Sequence, residues 1–259
     1  MTHYTASSFV LAVVMLACRG EEPGAEPRPP QQNDSTDACR GGDQPACLAL
    51  AGSPAGCVEL GLRRESSDPA LALELYLTAC EHGVLAGCAN ASDPMRATDP
   101  ERARRLALRA CEGDDATGCN NLGAIHQDAQ RLEDALAAYR RSCDLGLAMG
   151  CGQVGALGSA GVVPMDASEV DAMLTRACDG GDARSCGNLG RVAIRIEPER
   201  GRAAFARACE LGYAAGCFDH ALSLVRGEGG PVDRALAAKA LRRSCELGHA
   251  DACATAVEP

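Results

Sequence analysis

The chain contains no tryptophan, three phenylalanines and four tyrosines among its 259 residues. A core resting on large aromatic side chains is therefore excluded, because those rings carry the largest buried area per residue. Lysine occurs once, at Lys239, and every other basic side chain apart from five histidines is arginine. No basic run offsets the net charge of −10, so the cationic surface that nucleic acid requires is missing. The histidines are scattered; they form no H-E-x-x-H and no cluster for a catalytic zinc. G-x-x-x-x-G-K-S/T, G-x-S-x-G and C-x-x-C are absent as well. S-x-x-K fails because Leu236 stands three residues before the single lysine. The apolar run FVLAVVMLA over 9–17 is too short to span a bilayer as a helix, which takes ~20 residues.

What the chain has in quantity is cysteine, 16 residues of it. Seven pairs are spaced C-x7-C: Cys39 and Cys47, Cys80 and Cys88, Cys111 and Cys119, Cys143 and Cys151, Cys178 and Cys186, Cys209 and Cys217, Cys245 and Cys253. From Cys57 onward the second cysteine recurs after 31, 31, 32, 35, 31 and 36 residues. A period of this size marks a solenoid of stacked helix pairs. So many cysteines point to an oxidising compartment and to disulfides. Zinc is the rival reading, but structural zinc sites use C-x2–4-C knuckles and histidines, and neither fits here. No metal and no cofactor are expected.

The stretch 117–151 shows what one unit does. TGCNNLGAIHQDA places Cys119, Leu122 and Ile125 at helical spacing, and RLEDALAAYRRSCDLG places Leu132, Leu136, Tyr139 and Cys143 on one face. Glycine follows the first cysteine by three residues at Gly42, Gly83, Gly146, Gly181, Gly212 and Gly248, with Asp114 as the exception. That offset predicts a left-handed helix end. The first cysteine then lies in the last turn of one helix and the second in the first turn of the next. A tight antiparallel hairpin brings two such positions within the ~4.4–6.8 Å between Cα atoms that a disulfide needs. Small residues stand four positions after the second cysteine, at Gly61, Ser92, Gly123, Gly155, Gly190 and Ala221. Glycine inside a helix costs up to ~1 kcal/mol, so its recurrence predicts close approach of a neighbouring helix. An acid follows the first cysteine at Glu81, Glu112, Asp144, Asp179, Glu210 and Glu246, and arginine precedes it by two at Arg109, Arg141, Arg176, Arg207 and Arg243. This pattern reads as a solvated helix edge.

The phrases GCNNLG (118–123), SCGNLG (185–190) and GEGGPVDRALAAKALRRSCELGHADAC (227–253) resemble the Sel1-like repeat family, a relative of the tetratricopeptide repeats. The resemblance is to its bacterial cysteine-rich branch of disulfide-bridged helix pairs and covers about residues 38–256. It implies an all-α, right-handed solenoid of antiparallel helix pairs with a concave face. Two stretches depart from the pattern. CANASDPMRATD (88–99) predicts a short first helix, and CLALAGSPAGC (47–57) leaves Cys57 with no partner eight residues earlier. Cys57 is then either a free thiol or a competitor with Cys39 for Cys47.

One feature marks a candidate site. Two positions after the second cysteine the residue is polar in every unit: Glu59, Asn90, Asn121, Gln153, Asn188, Asp219 and Thr255. A polar ladder on an otherwise apolar helix needs partners. Either these side chains bond to backbone between helices, or some line the concave groove and bind a peptide backbone, with Arg191, His126 and His220 contributing. Two functions follow. The first is a non-catalytic scaffold that binds a protein or peptide. The alternative is a β-lactam- or peptidoglycan-related hydrolase, since the resemblance extends to members associated with penicillin binding and slow β-lactam hydrolysis. The absent catalytic motifs favour the scaffold.

The N-terminus sets the compartment. Residues 1–17 read as an export signal, ending Leu16-Ala17-Cys18, which resembles a bacterial lipobox with Cys18 as the acylated residue. An ordinary signal peptide with an incidental cysteine is the alternative, because Met15 and Leu16 are unusual choices and the segment has no Lys or Arg. Residues 18–37 read as the anchor cysteine and a disordered, Pro- and charge-rich linker, and 38–259 as the solenoid. The expectation is an extracytoplasmic protein whose only membrane attachment is a lipid on Cys18.

Overall fold

The computed structural model describes residues 32–256; the signal segment, Cys18 and the linker up to residue 31 lie outside the described residues. Among the described residues every regular element is a helix. α1 (Gln32–Arg40) and α2 (Gln44–Ala51) form an opening hairpin. Pairs follow: α3 (Pro54–Arg64) with α4 (Pro69–Glu81), α5 (Leu85–Met95) with α6 (Pro100–Glu112), α7 (Ala116–Asp128) with α8 (Leu132–Asp144), α9 (Ala148–Ser159) with α10 (Ala167–Asp179), α11 (Ala183–Ala193) with α12 (Pro198–Glu210), and α13 (Ala214–Arg226) with α14 (Arg234–Glu246). α15 (Ala250–Ala256) closes the series. No single described helix is long and apolar enough to cross a membrane.

Two boundaries differ from the sequence reading. α1 takes in residues 32–37, inside the expected linker; the last proline of that linker is Pro30, and QNDSTDACR contains no helix breaker. α5 is 11 residues long, as are α3 and α11, so the expected shortening is slight. Pro94 lies within α5, one residue before its end, where it withholds one i→i−4 hydrogen bond and the helix stops at Met95.

The hairpins follow from local chemistry. At Gly146 φ is 95°, the Gly146 N–H donates to Cys143 O (3.0 Å), and the Leu147 N–H donates to Ser142 O (3.1 Å). These are the paired bonds of a Schellman-type helix end. Asp114, the one non-glycine at this offset, adopts the same left-handed region with φ 64°. The next helix starts at once. Asp43, Asp115 and Asp182 cap α2, α7 and α11 by accepting the N–H of Ala46 (3.0 Å), Gly118 (2.8 Å) and Ser185 (3.0 Å), each worth about 1 kcal/mol. Between cap and cysteine the two helices touch almost backbone to backbone. A methyl group added to Gly87 would lie 2.6 Å from Ala79 Cβ, and one added to Gly216 would lie 2.5 Å from Ala208 Cβ. This small-on-small crossing holds the cysteine Cα atoms 4.3–4.6 Å apart, and all seven C-x7-C pairs are bridged.

The Cys39–Cys47 bridge leaves Cys57 as a free thiol, fully buried, with its Sγ 3.9 Å from Cys47 O. Cys57 occupies the second-cysteine position of α3, but α2 stands where the helix carrying its partner would be. Burial raises the Cys57 thiol pKa above its ordinary value, and thiolate is the reactive form. In the native oxidised protein, iodoacetamide should leave the peptide containing Cys57 unlabelled at neutral pH, and denaturant should expose it to full labelling. Rapid native labelling at Cys57 would show that the first units open freely.

The helices form two layers. α3, α5, α7, α9, α11 and α13 touch each other in series as well as their own partners, whereas the partner helices α4 to α14 touch one another far less. Closer spacing makes the first set the inner, concave layer. The core is correspondingly divided into a string of small clusters, one following another along the chain, as expected when each repeat packs only on its neighbours. Arginine two before the first cysteine reaches across units, Arg141 to Asp114 (2.9 Å) and Arg176 to Asp144 (3.7 Å), or stays within one helix, Arg207 to Glu210 (3.4 Å). All are about half-exposed, so each adds at most ~1 kcal/mol.

Candidate functional site

The second cysteine lies in the first turn of each inner helix and, except for Cys57 in α3, has its side chain in the staple. The residue two further on consequently points away from the partner helix, toward the concave face. Three hollows run along that face. One, of about 420 Å³, is bordered by Asn90, Asn120, Asn121, Met149 and Gln153. The next, of about 260 Å³, shares Met149 and Gln153 and adds Asn188 and Arg184. The third, of about 760 Å³, contains Arg191 and Asp219. Five of the seven ladder residues therefore border these hollows, which follow one another from α5 to α13. Glu59 and Thr255 are exposed on the terminal inner helices and border none of the three.

The ladder is not chemically uniform. Asn121 Nδ2 donates to Ala89 O (3.0 Å) and to Ser92 Oγ (3.2 Å), tying α7 to α5. Arg191 links the next units: its Nε and Nη2 reach Asp219 Oδ2 at 3.1 and 3.0 Å, and its Nη1 donates to Asn188 Oδ1 (3.2 Å). Asn90 and Gln153 are half-buried at the groove and make no hydrogen bond among the described residues. These two amides keep both donor and acceptor capacity.

The two histidines do not join the groove. His220 borders a separate hollow on the side of the partner helices, with Lys239 and Arg243. Burial lowers the pKa of both His220 and His126, and His126 Nδ1 is buried without a hydrogen-bond partner. A neutral imidazole fits packing, not anion binding.

Sequence reasoning overlooked three groove residues. Asn120 is 9 % exposed, its Oδ1 has no hydrogen-bond partner, and its Nδ2 lies 3.6 Å from Met149 Sδ. The residue after the second cysteine is apolar or glycine elsewhere, as at Val58, Ala89, Gly152, Gly187 and Phe218, so an amide there was visible as an exception. Arg195 and Arg226 border the third hollow. They stand seven residues beyond Asn188 and Asp219 respectively, which places them on the same helical face. A wall of that hollow is the glycine-rich loop at 227–230. Arg202 holds it: Nε donates to Glu228 O (2.5 Å), Nη1 to Pro231 O (3.0 Å), and Nη2 to Ser223 O (3.1 Å) and Gly230 O (3.0 Å).

No protein-family model matches the chain, and no curated protein matches it in sequence. Solved structures match it closely in shape. A protective antigen of uropathogenic Escherichia coli strains displaying an SLR fold superposes with a TM-score of 0.69 at 21% identity, over 87% of this chain and 56% of that one. The chain thus spans little more than half of that antigen's length. A Sel1 repeat protein from Oxalobacter formigenes gives 0.67 at 18% identity, over 87% of this chain and 75% of that one. An immunity protein from Pseudomonas aeruginosa gives 0.55 at 15% identity, over 76% and 82%. At these identities the likeness establishes the fold: a Sel1-like repeat α-solenoid, here stapled at α1–α2 and then at every connection between successive pairs from α4–α5 to α14–α15, with the turns inside the pairs and the α2–α3 turn unbridged.

Proposed function

We propose that the protein is a non-catalytic scaffold that binds a protein or peptide segment along the inner groove. It works outside the cytoplasm and is held to a membrane by acylated Cys18. The observation that carries the binding assignment is the pair of unspent amides, Asn90 and Gln153, facing one hollow beside the unpartnered Oδ1 of Asn120. An extended peptide offers N–H and C=O groups at regular spacing, and free amides satisfy both kinds. Leu147 and Met149 give the same hollow an apolar side for contact with side chains.

Selection of phage-displayed random 12-residue peptides on the oxidised full chain tests this reading. Binders should emerge, and Asn90→Ala with Gln153→Ala should weaken them about tenfold, the loss of one or two net hydrogen bonds, with the thermal midpoint unchanged. Asn121→Ala should behave differently and cost about 1 kcal/mol of stability, because its amide is spent on α5. Failure to select binders, or binders indifferent to both amides, would remove the groove assignment.

The compartment rests on the bridges, which persist only where the surroundings are oxidising. Cys18→Ser should block processing or release the protein from the membrane fraction. A wild-type mature protein that is unacylated and remains in the soluble fraction would favour a plain signal peptide.

A further inference from the structure

We propose that the 760 Å³ hollow at the α11–α13 end of the groove is a carboxylate subsite, which takes an aspartate or glutamate side chain of the bound peptide. The proposal rests on the peptide-groove reading and adds the chemistry of the partner.

Arginine is concentrated in this hollow although the chain as a whole carries −10. Arg191 lies in α11, Arg195 just past its end, and Arg226 is the last residue of α13. Two carboxylates share the space. Asp219 pairs with Arg191 at 3.0 Å, and Glu228 lies 3.9 Å from Arg226, at the limit of an ion pair. Arg195 is exposed and has no hydrogen bond or ion pair among the described residues. Three guanidinium groups against two carboxylates leave one net positive charge, and the unpaired fork is that of Arg195. A single carboxylate matches both the charge and the planar two-point geometry of a guanidinium. A polyanion would instead meet Asp219, Glu228 and the negative field of the whole molecule.

The surroundings favour pairing at this place over any exposed arginine elsewhere. Phe205, Ile194 and Leu222 border the hollow, and apolar walls reduce the screening that weakens surface ion pairs. Arg191 is held by Asp219 and by Asn188, so its charge is fixed in position. The opposite wall is fixed as well, because Arg202 binds four backbone carbonyls of residues 223–231. Asn188 borders the middle hollow and Arg191, bonded to it one helical turn on, borders this one, so the two hollows are neighbours along α11. A peptide on Gln153 and Asn188 would meet the Arg195 hollow next.

The test uses rhodamine-labelled, C-terminally amidated 12-residue peptides and fluorescence anisotropy on the oxidised full chain. One peptide repeats Gln-Leu-Ser with a single Glu in place of one Gln, and its isostere repeats Gln-Leu-Ser throughout. A third is the Gln peptide with a free C-terminal carboxylate. The Glu peptide should bind at least tenfold more tightly than the amidated Gln peptide, and raised salt should narrow the gap. Arg195→Gln should abolish the preference, whereas Arg207→Gln, which removes the same charge from the outer layer, should retain it. Equal binding of Glu and Gln peptides, or a preference that survives Arg195→Gln, would overturn the subsite. So would a free terminus that rescues the Gln peptide fully, since the carboxylate would then be terminal. If both peptides bind alike and both are lost in Asn90→Ala with Gln153→Ala, the groove stands and the carboxylate subsite falls. If neither peptide binds, both readings fall.

Discussion

Full reduction of the bridges should unfold the solenoid at 37 °C, with loss of most of its far-UV helical signal. Each bridge joins residues with a sequence separation of 8, closing a loop of nine residues counting both cysteines. The chain-entropy relation assigns such a loop about 2.6 kcal/mol, so seven amount to roughly 18 kcal/mol as an upper bound. A whole domain has a net stability of only about 5–15 kcal/mol. The remaining core is poorly equipped to replace that sum. Apart from the cysteines, its buried side chains are mostly alanine and leucine, and its largest fully buried ones are Tyr76 and Tyr139. Removal of one central staple, Cys143→Ser with Cys151→Ser, should cost about 2–5 kcal/mol. Because repeats contact only their neighbours, this single loss should split the melting transition at the α8–α9 junction. Circular dichroism with and without excess reductant measures the first effect, and hydrogen exchange across α8 and α9 the second. A reduced protein that keeps its helical signal and melts within a few degrees of the oxidised form would show that packing suffices without the staples.

The cysteine phase made the architecture legible because each bridge demands a hairpin at a known place. The helix ends, the left-handed residues and the two-layer order all follow from that constraint. The opening units were less legible, although α2 carries ordinary punctuation. Asp43 and Pro45 start it, Gly52 at φ 80° ends it, and Ser53 with Pro54 starts α3. The cysteine phase says nothing of α2, because the stretch 47–57 breaks the spacing and leaves Cys57 with no partner eight residues earlier. The ladder shows a different limit. Asn121 and Asn188 stand in the same N-L-G phrase, yet one bonds α5 backbone and the other receives Arg191. Their fates depend on the adjacent units, on Ser92 before Asn121 and on Asp219 after Asn188, 28 residues from Arg191. A residue's own repeat shows which face it occupies; only the stacked neighbours decide whether its hydrogen bonds are already used. The groove arginines were readable in principle by helical spacing, but Arg195 falls beyond the last residue of α11, where periodicity is usually no longer followed.

Gly123→Ala should lower stability by about 1–3 kcal/mol through overpacking, opposite to the usual ~0.5–1 kcal/mol gain of this change inside a helix. The sign turns on Tyr139. A methyl group on Gly123 would lie 2.6 Å from Tyr139 Cδ1, inside contact distance. The ring cannot swing away cheaply, being 2 % exposed with its hydroxyl donating to Gln127 Oε1 at 2.9 Å. Its burial also holds the phenol neutral, with a pKa pushed up to about 12. The arrangement repeats. The residue four before the first cysteine covers the small residue four after the second: Tyr76 over Gly61, Leu174 over Gly155 and Phe205 over Gly190. Where that covering position holds Ala107, the small position is relaxed to Ser92. The recurrent glycine is thus the complement of a large side chain, and the two positions should be energetically coupled. In a double-mutant cycle, Tyr139→Leu should cost stability by leaving a cavity while sharply reducing the penalty of Gly123→Ala, or reversing its sign. Urea titrations of the four oxidised proteins measure the coupling. A Gly123→Ala protein more stable than the wild type, or an equal alanine penalty with Tyr139 and with leucine there, would mean that the ring does not dictate the glycine.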